Sequence, residues 1–174
     1  FRKYAPDYYT PYGRGFGNSS SLRNETGFYS GLTWQCSPQW AVSYYYDVFM
    51  SPWLQYGVNA SAYGHDHHYL ISYIPAKSFE TFIRIRIKSQ QQNTAGSPII
   101  KYLEDTELGS VRVQYVYKSG LFTFKGRVEQ TYYVVAEGKK ELGVLLYQDV
   151  EYKSLLWPCT LWFRYAVFDT QSYD

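Results

Sequence analysis

The chain has 174 residues, 45% of them hydrophobic, which fits a single folded domain and excludes a disordered segment. A net charge of +2 and a pI near 8.4 are too mild for a nucleic-acid surface, where a clustered basic face is expected. No apolar run approaches the roughly 18 residues of a spanning helix, and Cys36 and Cys159 are too few for a disulfide scaffold and lack CxxC spacing.

The aromatic content is unusual: 21 Tyr, 10 Phe and 5 Trp accompany a mean hydropathy of −0.40. Apolar surface therefore arrives as large amphipathic rings, which favour strands and interfaces. Alternation and turn signals predict eight antiparallel strands near 25–35, 39–49, 66–74, 79–89, 107–118, 121–135, 142–153 and 159–168. Residues 1–24 read as an extracellular loop or strand connection, and 169–174 as the start of an outer loop. Residues 79–88 show the pattern best: Thr81, Ile83, Ile85 and Ile87 fall on one face, and Glu80, Arg84, Arg86 and Lys88 on the other.

The connections alternate in length. Cys36-Ser37-Pro38, Pro75-Ala76-Lys77-Ser78, Lys118-Ser119-Gly120 and residues 154–158 are short, whereas 50–65, 90–106 and the smaller 136–141 are longer. Short turns on one rim and longer loops on the other are the habit of outer-membrane β-barrels. The expected fold is thus an all-β antiparallel transmembrane barrel of meander topology. In this orientation both ends of the chain lie on the outer rim, so further strands are expected and the eight form part of a larger barrel. The opening on Phe1 is read as a removed leader or an internal piece. If instead the first and last strands closed on each other, Cys36 and Cys159 would meet at one rim.

Projection gives an uncharged face that includes Phe28, Leu32, Trp34, Trp40, Val42, Tyr44, Ile83, Ile85, Val111, Val113, Phe122, Phe124, Val128, Val144, Leu146, Leu161, Phe163 and Tyr165. The opposite face gathers Asp47, Glu80, Arg84, Arg86, Lys88, Arg112, Lys125, Arg127, Glu129, Asp149, Glu151, Lys153 and Arg164. Such sorting suits a lipid-facing wall and a wet lumen, because Arg or Lys at the bilayer midplane costs about 2 to 4 kcal/mol. A soluble sandwich or lipocalin-like barrel also alternates, but its apolar face is the inner one and needs no aromatic bands. Trp34 and Trp40 flank one short turn, and Trp157 and Trp162 another, so all four are expected in one membrane-interface girdle.

The lumen set holds more Arg and Lys than Asp and Glu, which would tilt an open pore towards anions. The alternative is a plugged lumen in which Arg–carboxylate ladders tie strands together. His65, His67 and His68, with Asp66, form the one cluster with metal-ligand chemistry, and its place where a long loop meets a strand reads as a solvated loop end. No Ser or Cys nucleophile shares a motif with these histidines and no GxSxG is present, so no enzyme and no cofactor are expected. Asn18, Asn24 and Asn59 begin N-x-Ser/Thr sequons, taken as chance matches, and Gly13-Arg14-Gly15-Phe16-Gly17 follows no strand and reads as loop, as do the polar runs 18–21 and 90–93.

Phe1-Arg2-Lys3-Tyr4-Ala5-Pro6, Tyr8, Tyr12, Phe16, Ser19-Ser20 and the stretch from Asn24 to Leu32 resemble the barrel region of Gram-negative helix-hairpin-helix domain-containing outer-membrane proteins. Trp40, Asp47, Phe49, Pro52-Trp53-Leu54 and the closing stretch from Phe163 to Tyr173 are similar to the same family. The resemblance implies a bacterial outer-membrane location, a lipid bilayer as partner, possible further outer-membrane subunits, and only the barrel portion of such a protein. The helical module is absent, so no nucleic-acid contact is implied. The Gly64-His65-Asp66-His67-His68 stretch departs from the family pattern, which has no His cluster there. The functional expectation is a pore or transport component for small polar or anionic solutes. The alternatives are a non-conducting structural or docking subunit and a soluble carbohydrate-binding sandwich.

Overall fold

The computed structural model describes residues 1–9, 16–18, 23–53, 57–94, 101–134, 140–155 and 158–171. Nine strands form one antiparallel meander, β1 (Arg2–Tyr4), β2 (Glu25–Gln35), β3 (Trp40–Ser51), β4 (Ala62–Ala76), β5 (Phe79–Asn93), β6 (Leu103–Ser119), β7 (Phe122–Val134), β8 (Lys140–Lys153) and β9 (Thr160–Thr170). Each pairs only with its sequence neighbours, so the sheet is open, with β1 at one edge and β9 at the other. The described residues contain no helix.

All eight expected strands are present, and β1 adds a ninth inside the segment read as a loop. The strands also run further than expected towards the long connections. Gln90, Gln91, Gln92 and Asn93 are a correction of this kind, since they are strand residues of β5 paired with Thr106, Asp105, Glu104 and Leu103. Polar on both faces, they carry no alternation to read, yet backbone pairing does not depend on side-chain contrast. The connections 36–39, 77–78 and 120–121 on one rim are shorter than 5–24, 52–61 and 94–102 on the other, whereas the last pair corrects the expectation: 135–139 is one residue shorter than 154–159.

At residues 120–121 the chain reverses with φ +56° at Gly120 and no positive φ at Leu121, the sign pattern of a type II′ hairpin turn. That two-residue turn fixes the β6–β7 register, and a one-residue slip would exchange the two faces.

Cross-strand partners share a face, so the register traces each surface directly. Trp34, Val42, Ile71, Ile83, Val113, Val128, Leu146 and Val167 form one continuous row, one residue from each of β2 to β9. Flanking it towards the short turns are Trp40, Tyr73, Tyr115 and Tyr165, then Phe79, Tyr117, Phe124 and Phe163. Towards the long connections lie Tyr44, Tyr46, Tyr69 and Tyr132. The face is therefore aliphatic in the middle and aromatic to either side.

Glycines let several rings lie flat on the sheet. Gly31 faces the Tyr45 ring, Gly64 the Phe49 ring, Gly109 the Tyr132 ring and Gly126 the Tyr115 ring, each occupying the space a Cβ would need. Glycine interrupts a strand where another group approaches closely, and here the group is the ring on the adjacent strand.

The described residues form no conventional core. Among the described residues only Phe49, Val58 and Ala62 are buried hydrophobics, and Ile83, Val111, Val113, Val128, Val144 and Leu146 are exposed. The chain presents 12498 Å² of surface, where a compact monomer of 20.4 kDa would present about 8,800 Å².

Candidate functional site: the charged face

The residues expected on the charged face all lie there. Arg84, Arg86 and Lys88 project from β5, Arg112 from β6, Lys125, Arg127 and Glu129 from β7, Asp149 from β8 and Arg164 from β9. Direct pairing sets Arg84 beside Arg112, Arg112 beside Glu129, Lys125 beside Asp149 and Asp149 beside Arg164.

Hydrogen bonds convert this array into a ladder. Arg112 donates to both Glu129 oxygens through Nε at 2.9 Å and Nη2 at 2.7 Å. Arg84 Nη2 and Arg127 Nη1 each approach the same carboxylate to 3.8 Å. Arg127 donates from Nε and Nη2 to Gln114 Oε1, both at 3.1 Å. Arg164 holds Asp149 at 2.6 and 2.7 Å, and Arg86 holds Asp66 with Nε at 3.1 and 3.0 Å from its two oxygens. Lys153 and Lys125 reach Glu151 at 3.2 and 3.7 Å. Two guanidiniums, of Arg127 and Arg164, lie over the Tyr147 ring at 5.2 and 4.8 Å. Paired guanidinium and carboxylate groups are the strong hydrogen bonds of proteins, and their planar geometry fixes orientation as well as energy.

A second cluster, at the β1–β3 end, was not expected. Arg2 donates to Glu25 at 2.6 Å and to both Asp47 oxygens at 2.6 and 3.0 Å. Its guanidinium fills the space above Gly27 and lies 4.9 Å from the centre of the Phe16 ring, which meets Tyr29 edge-on at 4.9 Å. The Asn18 amide donates to Glu25 at 2.9 Å, and Tyr4 donates to the Phe16 carbonyl at 3.1 Å. Phe16, Gly17 and Asn18 are thereby pinned over the charged face, enclosing a pocket of about 210 Å³ with Tyr29, Tyr45, Asp47, Asp66, His68, Arg86 and Lys88. Asn24, at φ 57°, closes the end of β2 by pairing its amide with the Trp53 backbone at 2.5 and 3.0 Å. Its sequon nitrogen is thus engaged.

Asp66 belongs to the charged face, opposite Lys88 and Asp47. With Asp66, Glu25 and Arg2 counted, the net charge of the face falls only from +3 to +2. Alternation within β4 sets Asp66 on the face opposite Tyr69 and Ile71. Arg2 offered no comparable signal, because three residues are too few to show alternation.

The histidines do not converge. His65 and His67 lie on the apolar face, their rings 5.2 Å apart, and Tyr44 shares a hydrogen bond with His67 at 2.9 Å. His68 points to the other face, 3.2 Å from Asp66. They also sit within β4 rather than at a loop end. Among the described residues no three His, Cys, Asp or Glu side chains are placed to share a metal ion.

The four tryptophans do not form one set. Trp34 and Trp40 lie on the apolar face, Trp40 stacked on Tyr73 at 4.3 Å. Trp162 is a correction: it pairs with Glu151 on the charged face. Proximity to a short turn suggested the girdle, but strand parity, set by Arg164 two residues on, decides the face. Trp157 lies outside the described residues.

Charges on the apolar face are confined to the long-connection side. Lys3, Asp105, Glu107, Lys140 and Asp169 stand there, with Tyr132 donating to Glu107 at 2.7 Å and lying under Lys140 at 5.2 Å. Between Glu107 and the Gly120 turn, β6 carries no charge on that face. No protein-family model, curated protein or solved structure matches the chain.

Proposed function

We propose that this chain is an arc of a bacterial outer-membrane β-barrel whose charged face lines a lumen passing small polar or anionic solutes. The observation that carries the reading is the length of the charge-free stretch on the apolar face of β6. From Gly109 to Ser119, β6 advances roughly 34 Å at about 3.4 Å per residue. At the roughly 40° tilt of barrel strands this is about 26 Å of height, against an apolar band of about 25 Å in membrane barrels. The described strands β2 to β9 are 11 to 17 residues long, and about 9 to 11 suffice to span. The aromatic rows on either side of the aliphatic one sit where interfacial girdles belong. Lipid also accounts for exposed Ile and Val in the absence of a core, which water would not tolerate over such an area. The resemblance to helix-hairpin-helix outer-membrane proteins points the same way.

A second reading, a non-conducting structural or docking subunit, is favoured by one feature. Phe16, Gly17 and Asn18 lie over part of the charged face, and most of its guanidiniums already have carboxylate partners. Conductance of the purified protein in a planar bilayer separates the two: discrete current steps support the pore, and silence at every applied voltage supports the scaffold.

The membrane reading itself rests on the two faces. Ile85→Arg should lower assembly into vesicles by an amount corresponding to about 2 to 4 kcal/mol, the cost of a cation at the bilayer midplane. Arg84→Ile, one residue away on the other face, should assemble far better. Equal losses, or release of the protein from membranes without detergent, would refute the assignment.

A further inference from the structure

The positive excess of the charged face is largest in one place. Arg86 has Asp66, Arg164 has Asp149, Arg2 has both Glu25 and Asp47, and Lys125 and Lys153 share Glu151. Arg84, Arg112 and Arg127, by contrast, surround the single carboxylate of Glu129. Arg112 takes both oxygens of that carboxylate in a two-pronged bond, which leaves Arg84 and Arg127 at 3.8 Å, beyond hydrogen-bonding distance. Arg84 Nε is buried and has no hydrogen-bond partner in the protein. Arg127 commits Nε and Nη2 to the neutral Gln114.

Three guanidiniums against one carboxylate leave a local charge near +2, held in place by three adjacent strands, β5, β6 and β7. Like charges this close repel one another strongly in a partly buried setting, and a buried donor without a partner carries its desolvation cost uncompensated. An anion at the exposed end of the Arg84 guanidinium would offset the repulsion and the positive charge that burial of Nε leaves uncompensated. We propose that Arg84 and Arg127, with Arg112 anchoring Glu129 between them, bind a small dianionic oxyanion of the phosphate type. The guanidinium fork matches the spacing of phosphate oxygens, and Lys would not reproduce it. Arg84 keeps a third of its side chain exposed, so solvent has access to the site. The inference deepens the lumen reading by naming a solute class, and it requires only that this face be wet.

The test is calorimetric titration of the protein in detergent micelles with inorganic phosphate, at ionic strength held constant with chloride. Saturable one-site binding is expected, weakened at least tenfold in Arg84→Gln and unchanged in Arg164→Gln, whose guanidinium is paired elsewhere. Should Arg84→Gln fold poorly, the Nε–H resonance of Arg84 in the unaltered protein gives the same answer by shifting on phosphate addition. Absence of saturable binding, equal weakening by both variants, or an Arg84 resonance that ignores phosphate would overturn the site. A silent bilayer with phosphate binding intact would remove the pore and leave the site, and an open pore without binding would remove the site alone.

Discussion

The two ends of the sheet carry the same chemistry in opposite surroundings. At the β1–β3 end, Arg2 and Glu25 keep only 8% and 2% of their side chains exposed, under Phe16 and Asn18. At the β8–β9 end, Arg164 grips Asp149 with equally short bonds but remains 63% exposed. Distances alone would rank the two pairs together. Surroundings separate them, because water screens the second pair and competes for its hydrogen bonds, while the first has exchanged water for protein on every side. One end is covered by its own chain; the other leaves its last strand bare.

Equilibrium urea unfolding in detergent micelles can break or sharpen this contrast. Glu25→Ala should cost about 3 kcal/mol, the lower part of the range for breaking a buried ion pair, because Asp47 still holds Arg2. Phe16→Ala should cost about 1 to 2 kcal/mol, for loss of the cation–π contact with Arg2 and the edge-on contact with Tyr29. Arg164→Ala should leave the unfolding midpoint unmoved within error. An Arg164 variant as damaging as the Glu25 variant would mean that the β9 end is covered in the folded protein after all.

Where hydrophobic contrast alternates strongly, the fold was legible in the sequence. Ile83, Ile85 and Ile87 against Arg84, Arg86 and Lys88 left one workable phase, and the same holds for Val111 and Val113 around Arg112. Legibility failed where both faces share a character. Gln90 to Asn93 are polar on each side, and Leu161, Trp162 and Phe163 are apolar on each side, so the first group passed as loop and Trp162 was given the wrong face. The members of the charged face could be read because parity alone determines membership. Their partners could not, since who meets whom depends on register. Register is set by turns such as Gly120-Leu121 and by the irregularity between Tyr73 and Ala76. The excess around Glu129 is of this second kind: it exists only once β5, β6 and β7 are in register.

The meander also bears on how the protein forms and how it fails. With every strand joined to its neighbour in sequence, no pairing waits for a distant segment, so chain-closure entropy stays small and folding can advance one hairpin at a time. Side chains reach further than the strand pairing does: Arg2 from β1 to Asp47 on β3, Lys88 from β5 to the Phe49 ring on β3, Arg84 from β5 to Glu129 on β7, and Tyr115 from β6 to Gln148 on β8. Damage to one hairpin should therefore spread no more than two strands, and these side chains mark places where it would spread.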